Sequence, residues 1–131
     1  MILRITPDKQ KAESLKKMAE LTLERLEKTD KEEYPSNTLS DYYEIIHKLM
    51  EAITLKEGIK IKGEGAHQEI IDYISKKYGL NEQSRLFLQK MRDYRNRISY
   101  EGFMINKNYL ISNKEKIIEI MKTLFEKLKE D

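Results

Sequence analysis

The arginines of this chain cluster where they could do chemistry. Three of the six fall at 92, 95 and 97, in the run Arg92-Asp93-Tyr94-Arg95-Asn96-Arg97-Ile98-Ser99-Tyr100. A guanidinium keeps its charge at any working pH and grips phosphate through paired hydrogen bonds. Arg92, Asn96 and Ser99 follow at steps of four and three, so on a helix they share one arc. Arg95 lies one turn on from Met91, and Asn96 adds a donor and an acceptor beside it. The run reads in two ways. It is a site for an anion, or it is the salt-bridged end of a helix, where the negative end of the dipole stabilises arginine in any case.

Other chemistry is thinly represented. His47 and His67 are the only two histidines. Zinc asks for three or four ligands at suitable spacing, and no such cluster is visible, so the sequence implies no metal site. Each histidine reads as a partly buried or surface residue. There is no cysteine, hence no thiol nucleophile, and no Gly-x-Ser-x-Gly elbow. Gly63-Glu64-Gly65 lacks the lysine and the preceding strand of a phosphate loop, so these glycines read as turns.

The bulk numbers bound the rest. A length of 131 residues implies a single domain, 1–131, able to bury one core. Charged residues make up 37% of the chain, yet the net charge is only +2. Such a mixed surface gives no global attraction to nucleic acid. Its Lys/Glu richness resembles thermophile composition. Absence of cysteine fits a reducing, cytoplasmic setting. No apolar run approaches the ~20 residues of a membrane span, and the run at Met1–Ile5 is too short for a signal peptide. No cofactor is implied.

Helical periodicity supplies the elements that would position the arginines. Thr6-Pro7-Asp8 predicts a helix start, with a helix running to about Lys28 and an inner face of Leu15, Met18, Ala19, Thr22 and Leu26. Ser36, Asn37 and Thr38 are candidate caps for a second helix. Its apolar face is Leu39, Tyr42, Tyr43, Ile46, Leu49, Met50 and Ile53, the strongest periodic signal in the chain, and Glu57-Gly58 ends it. A third helix is expected over 66–78, closed by Gly79. Asn81 caps a fourth, which carries Phe87, Met91, Tyr94 and Ile98 as its apolar stripe and ends near Tyr100. Phe103 to Ile111 reads as irregular or short extended chain. Ser112 and Glu115 predict a capping box for a last helix with Ile117, Met121, Leu124 and Leu128 inward. No strand-period alternation is long enough to build a sheet. The expected fold is all-α, an antiparallel up-and-down bundle of four to five helices.

Five amphipathic helices, a Tyr-Tyr pair opening the second, and Arg95-Asn96-Arg97-Ile98-Ser99-Tyr100 closing the fourth resemble the HEPN family of small all-α proteins. The likeness covers about Pro7 to Leu128. Many members carry Arg, a polar residue and then His, and in ribonuclease members that motif is catalytic. Arg95 and Asn96 match the first two positions, and Tyr100 stands where the His would be. A subgroup with Arg-Asn-x-x-x-Tyr resembles this chain more closely, and its members commonly sit beside a minimal nucleotidyltransferase. The resemblance implies a homodimer whose two copies line one groove. It implies a nucleotide- or RNA-phosphate-binding module, partner of a nucleotidyltransferase in a toxin–antitoxin-type pair, with Arg92, Arg95, Asn96 and Arg97 on the phosphate. One alternative is a metal-independent endoribonuclease using Arg95, Asn96 and Tyr100, although a phenol, ordinarily titrating near ~10, is a poor base at neutral pH. The other is a non-catalytic dimeric scaffold whose arginines pair with glutamates.

Overall fold

The computed structural model describes residues 1–129. Five helices carry the fold: α1 (Lys9–Glu27), α2 (Pro35–Glu57), α3 (Ala66–Tyr78), α4 (Glu82–Glu101) and α5 (Lys107–Lys129). Two three-residue strands, β1 (Ile2–Arg4) and β2 (Ile59–Ile61), pair antiparallel with Leu3 opposite Lys60. The chain is thus essentially all-α. The little ribbon corrects the expectation of no sheet: each strand is too short to display a period-2 pattern.

The bundle is organised around α2. Twelve of its 23 residues are buried, including every member of the apolar face expected from periodicity. Each fully buried Leu or Ile contributes about 1.5–3 kcal/mol by leaving water, so this helix supplies the largest single share of the core. By contrast, α4 buries only Leu88 and Met91. Phe87, Tyr94 and Ile98 of its expected stripe lie partly buried at the margin of the core. The inner face of α1 is also narrower than its leucines and methionine suggest. Ala12, Ala19 and Leu26 are buried, whereas Met18 is 48% exposed.

Contacts between helix ends fix the directions. Asp8 N–H donates to Leu55 O, and Arg25 pairs with Asp41, so α1 runs antiparallel to α2. Arg95 of α4 meets Glu44, whereas the Tyr43 hydroxyl meets His67 and Glu57 meets Lys77 and Tyr78. Helix α3 is therefore parallel to α2, and α4, whose Arg85 reaches Asp72 and whose Gln89 reaches Gln68, is antiparallel to both. The α5 end lies beside the α2 end, through Lys56 Nζ donating to Leu128 O, while Leu110 and Lys114 share a cleft with Thr38 and Tyr42. Helix α5 also runs parallel to α2. The connectivity is thus not strictly up-and-down. The chain between α2 and α3, which includes β2, returns toward the start of α2 before α3 begins.

Helix boundaries follow local chemistry. Asp8, not Thr6, caps α1: its carboxylate accepts from Lys11 N–H, and its own N–H is spent on Leu55. Ile5 N–H donates to Gly58 O, so the segment before Asp8 is stitched across the end of α2 and cannot join the helix. Pro35 opens α2 at its first turn, where a missing N–H costs nothing. The hydroxyl of Ser36, one of the expected caps, instead accepts from Ile105 N–H. Asn81 caps α4 as expected, accepting from Ser84 N–H. The largest correction is α5, which begins at Lys107. Asn106 Oδ1 accepts from the N–H groups of Asn108 and Tyr109, so Ser112 to Glu115 lie inside the helix.

Candidate functional site: an arginine and histidine cluster between α2, α3 and α4

Helix α2 is buried nearly all round, and the exception is chemical. Glu44, His47, Lys48 and Glu51 recur at i, i+3, i+4 and i+7, which places them within about 100° of arc. All four are part-buried. Against this polar stripe come the first turn of α3, bearing His67, and the last turns of α4, bearing Arg92, Arg95 and Asn96.

The imidazoles of His47 and His67 stack, with ring centroids 3.9 Å apart and planes within 5° of parallel. Each is held through Nδ1. His47 Nδ1 lies 3.0 Å from Glu51 Oε1, and His67 Nδ1 lies 3.0 Å from the Tyr43 hydroxyl. Tyr43 is wholly buried, and burial raises the titration of its phenol, against the opposing charges of Arg92 and Arg95. The phenol therefore keeps its proton; a buried hydroxyl proton needs an acceptor, and His67 Nδ1 is its one hydrogen-bond partner among the described residues, so Tyr43 donates there and the His67 proton sits on Nε2. Burial pushes His67 down to about 4, and the neighbouring His47 and Arg95 add to that. Burial opposes ionisation of Glu51, but the hydrogen bond from His47, with Lys48 nearby, holds its carboxyl below the usual range.

Arg95 crosses this cluster. Its guanidinium lies 5.9 Å from the Tyr43 ring centroid, 3.4 Å from a Glu44 oxygen, and donates to Asn96 Oδ1 at 3.3 Å. Only 25% of its side chain is exposed. The Glu44 contact is long and single, not the bidentate fork that holds an arginine firmly. Arg92 donates to the neutral Gln89 at 3.2 Å. The remaining residues of the arginine run point elsewhere. Arg97 covers the Phe103 ring at 4.1 Å and reaches Glu101 at 4.0 Å. Tyr100 is 82% exposed. It follows Arg95 by five residues, about 140° around the helix, so within one chain the two side chains leave α4 on different sides.

The structure therefore brings Arg92, Arg95 and Asn96 together and turns Arg97 to Phe103 and Glu101, while Tyr100, one turn on from Asn96, stands exposed on a different side of α4 from Arg95. It adds Tyr43, Glu44, His47, Glu51 and His67, which sequence reasoning passed over as core or surface. The signal that finds them is the run of four polar residues at helical spacing in a stretch, 42–53, that is otherwise apolar or aromatic. No group of three or more His, Asp or Glu suited to a metal occurs among the described residues. The histidine pair is itself a poor chelate. Lone pairs lie in their ring planes, and two near-parallel planes do not converge on one ion at a bond length of about 2 Å. No helix among the described residues is long and apolar enough to cross a membrane. Comparison with protein-family models, curated proteins and solved structures gave no match.

Proposed function

We propose that this chain is a HEPN-like module that binds the phosphate of a nucleotide or RNA at Arg92, Arg95 and Asn96. The observation that carries this reading is the weak neutralisation of two neighbouring guanidiniums on a part-buried face. Arg95 has one long contact to Glu44, and Arg92 has only an amide. A phosphate would offer both of them the charge-assisted bonds that the chain leaves incomplete. The module would act as a homodimer, with a minimal nucleotidyltransferase as protein partner, as the resemblance implies. The endoribonuclease alternative through Tyr100 is weaker, because Arg95 and Tyr100 leave α4 about 140° apart. The purely structural alternative is weaker as well, because a stabilising arginine network would close on carboxylates more tightly than 3.4 Å.

The test is fluorescence anisotropy with labelled hexauridylate and a labelled nucleoside monophosphate, on wild type, Arg92→Gln and Arg95→Gln. Each variant is expected to bind the oligonucleotide more weakly. Each should also flatten the dependence of log affinity on log salt by about 0.7, the value for one lost single-strand phosphate contact. If wild type binds neither probe at low salt, or both variants bind as wild type does, the reading is wrong. Sedimentation of the free protein checks the dimer separately.

A further inference from the structure

We propose that the stacked His47–His67 pair is the proton-linked arm of this phosphate site, so that anion binding draws one proton onto His47 Nε2. The inference rests on the phosphate reading and extends it to residues outside the arginine run. Both Nδ1 atoms are committed, to Glu51 and to Tyr43, so both Nε2 atoms are the free ends of the pair. The Tyr43 hydrogen bond sets His67 Nε2 as a donor. The Glu51 carboxylate accepts from His47 Nδ1–H, which sets neutral His47 Nε2 as a lone pair. That arrangement suits an anion on one side only. Taking up a proton turns His47 Nε2 into a second donor on the stacked pair, with its charge balanced by Glu51. This carboxylate–imidazole pairing is the one that orients a histidine and favours its cation.

Charged groups from three helices face the pair. From α2, Glu44 and Glu51 favour the cation, whereas Lys48 opposes it and is itself paired with Glu44 at 3.6 Å. From α4, Arg92 and Arg95 oppose it. From α3, His67 stacks against His47 at 3.9 Å and resists a second proton, being already held to a low titration range by burial. A bound phosphate changes this balance in two ways. It neutralises the arginines, and it brings acceptor oxygens to the cluster. Proton uptake is therefore tied to the anion.

The probe is 2′-O-methyl hexauridylate, whose phosphodiesters and uracils do not titrate between pH 6 and 8 and which has no 2′-hydroxyl to react. Isothermal titration in two buffers of different ionisation enthalpy gives the number of protons taken up. Wild type is expected to take up a substantial fraction of one proton near pH 7. Its affinity should fall roughly five- to tenfold from pH 6 to pH 8, as an uptake averaging about 0.35–0.5 proton over that interval requires. His47→Gln should bind without proton uptake and with a flat pH profile, and His67→Gln should bind more weakly yet keep the linkage. Nitrogen-15 spectra of wild-type histidines should show His47 Nε2 gaining its proton on binding, a readout independent of either variant's folding. Binding with no proton uptake and no change at His47 overturns this inference while leaving the phosphate site standing. Failure of wild type to bind at either pH overturns both.

Discussion

The low titration range of His67 makes a quantitative statement about stability. In the unfolded chain the imidazole titrates near 6.5, and in the folded chain near 4. The unfolded state therefore binds more protons in mild acid, and protons favour unfolding. The stabilising contribution is whole above pH 6.5 and is lost as pH falls toward 4. Between pH 7 and pH 5 the unscreened linkage would amount to about 2 kcal/mol. The ring is only part-buried, so solvent screening reduces this to about 1 kcal/mol. For 131 residues the unfolding entropy is about 0.3 kcal/mol per degree, so about 1 kcal/mol corresponds to about 4 °C in melting temperature. Many carboxylates also titrate over this interval, so the decisive comparison is with His67→Gln, whose amide oxygen can still accept from Tyr43. Calorimetric melts at pH 7, 6 and 5 should show wild type losing about 4 °C more than the variant. Parallel profiles would refute the reasoning and show that His67 is as free to charge in the folded chain as in the unfolded one.

Two further predictions address the fold. Leu49 is fully buried in α2 whereas Met18 is about half exposed on α1, so Leu49→Ala should cost about 2–5 kcal/mol and Met18→Ala within about 0.5 kcal/mol, as read from urea midpoints at constant slope. Gly58 and Gly102 both sit at positive φ, but a Cβ on Gly58 would lie 2.7 Å from Ile5 O, whereas Gly102 meets nothing within 4 Å. Gly102→Ala should then cost about 1 kcal/mol and Gly58→Ala at least about twice that, with faster hydrogen exchange at Ile5; equal midpoints for the two variants would contradict the close packing of the N-terminal segment on the α2 end.

Periodicity was informative where one side of a helix is buried and the other is not. It recovered the apolar face of α2, the extent of α3, and the Asn81 cap. It failed where a cap competes with an equally good motif. Ser112 and Glu115 have capping-box spacing, but Asn106 starts α5 earlier, because Leu110 already reaches the core. It failed again for the path from α2 to α3. A three-residue strand leaves no period, and the turn back shows only in contacts across the fold, Leu3 opposite Lys60 and Tyr43 against His67. The arginine run announced itself through composition. Its partners did not, because His47 and His67 are 20 residues apart and meet only when α3 lies parallel to α2. With α3 antiparallel, as in a strictly up-and-down bundle, the first turn of α3 would face the far end of α2.

That dependence on topology bears on why the polar cluster exists. Partly buried ionisable groups are an inefficient way to hold helices together, since their desolvation offsets most of their mutual attraction, and apolar replacements of similar shape are often neutral or stabilising. Helix α2 has ample apolar surface on its remaining arc, so three helices could be joined there by leucines. Instead the chain sets Glu44, His47, Lys48 and Glu51 on α2 against His67, Arg92 and Arg95. Several of the resulting contacts are directed: Nδ1 to Glu51, Nδ1 to Tyr43, guanidinium to Asn96. They orient donors and cationic groups on one face, where Arg95 keeps only one long carboxylate contact and Arg92 an amide. Packing alone asks for no such orientation, whereas the proposed phosphate site does.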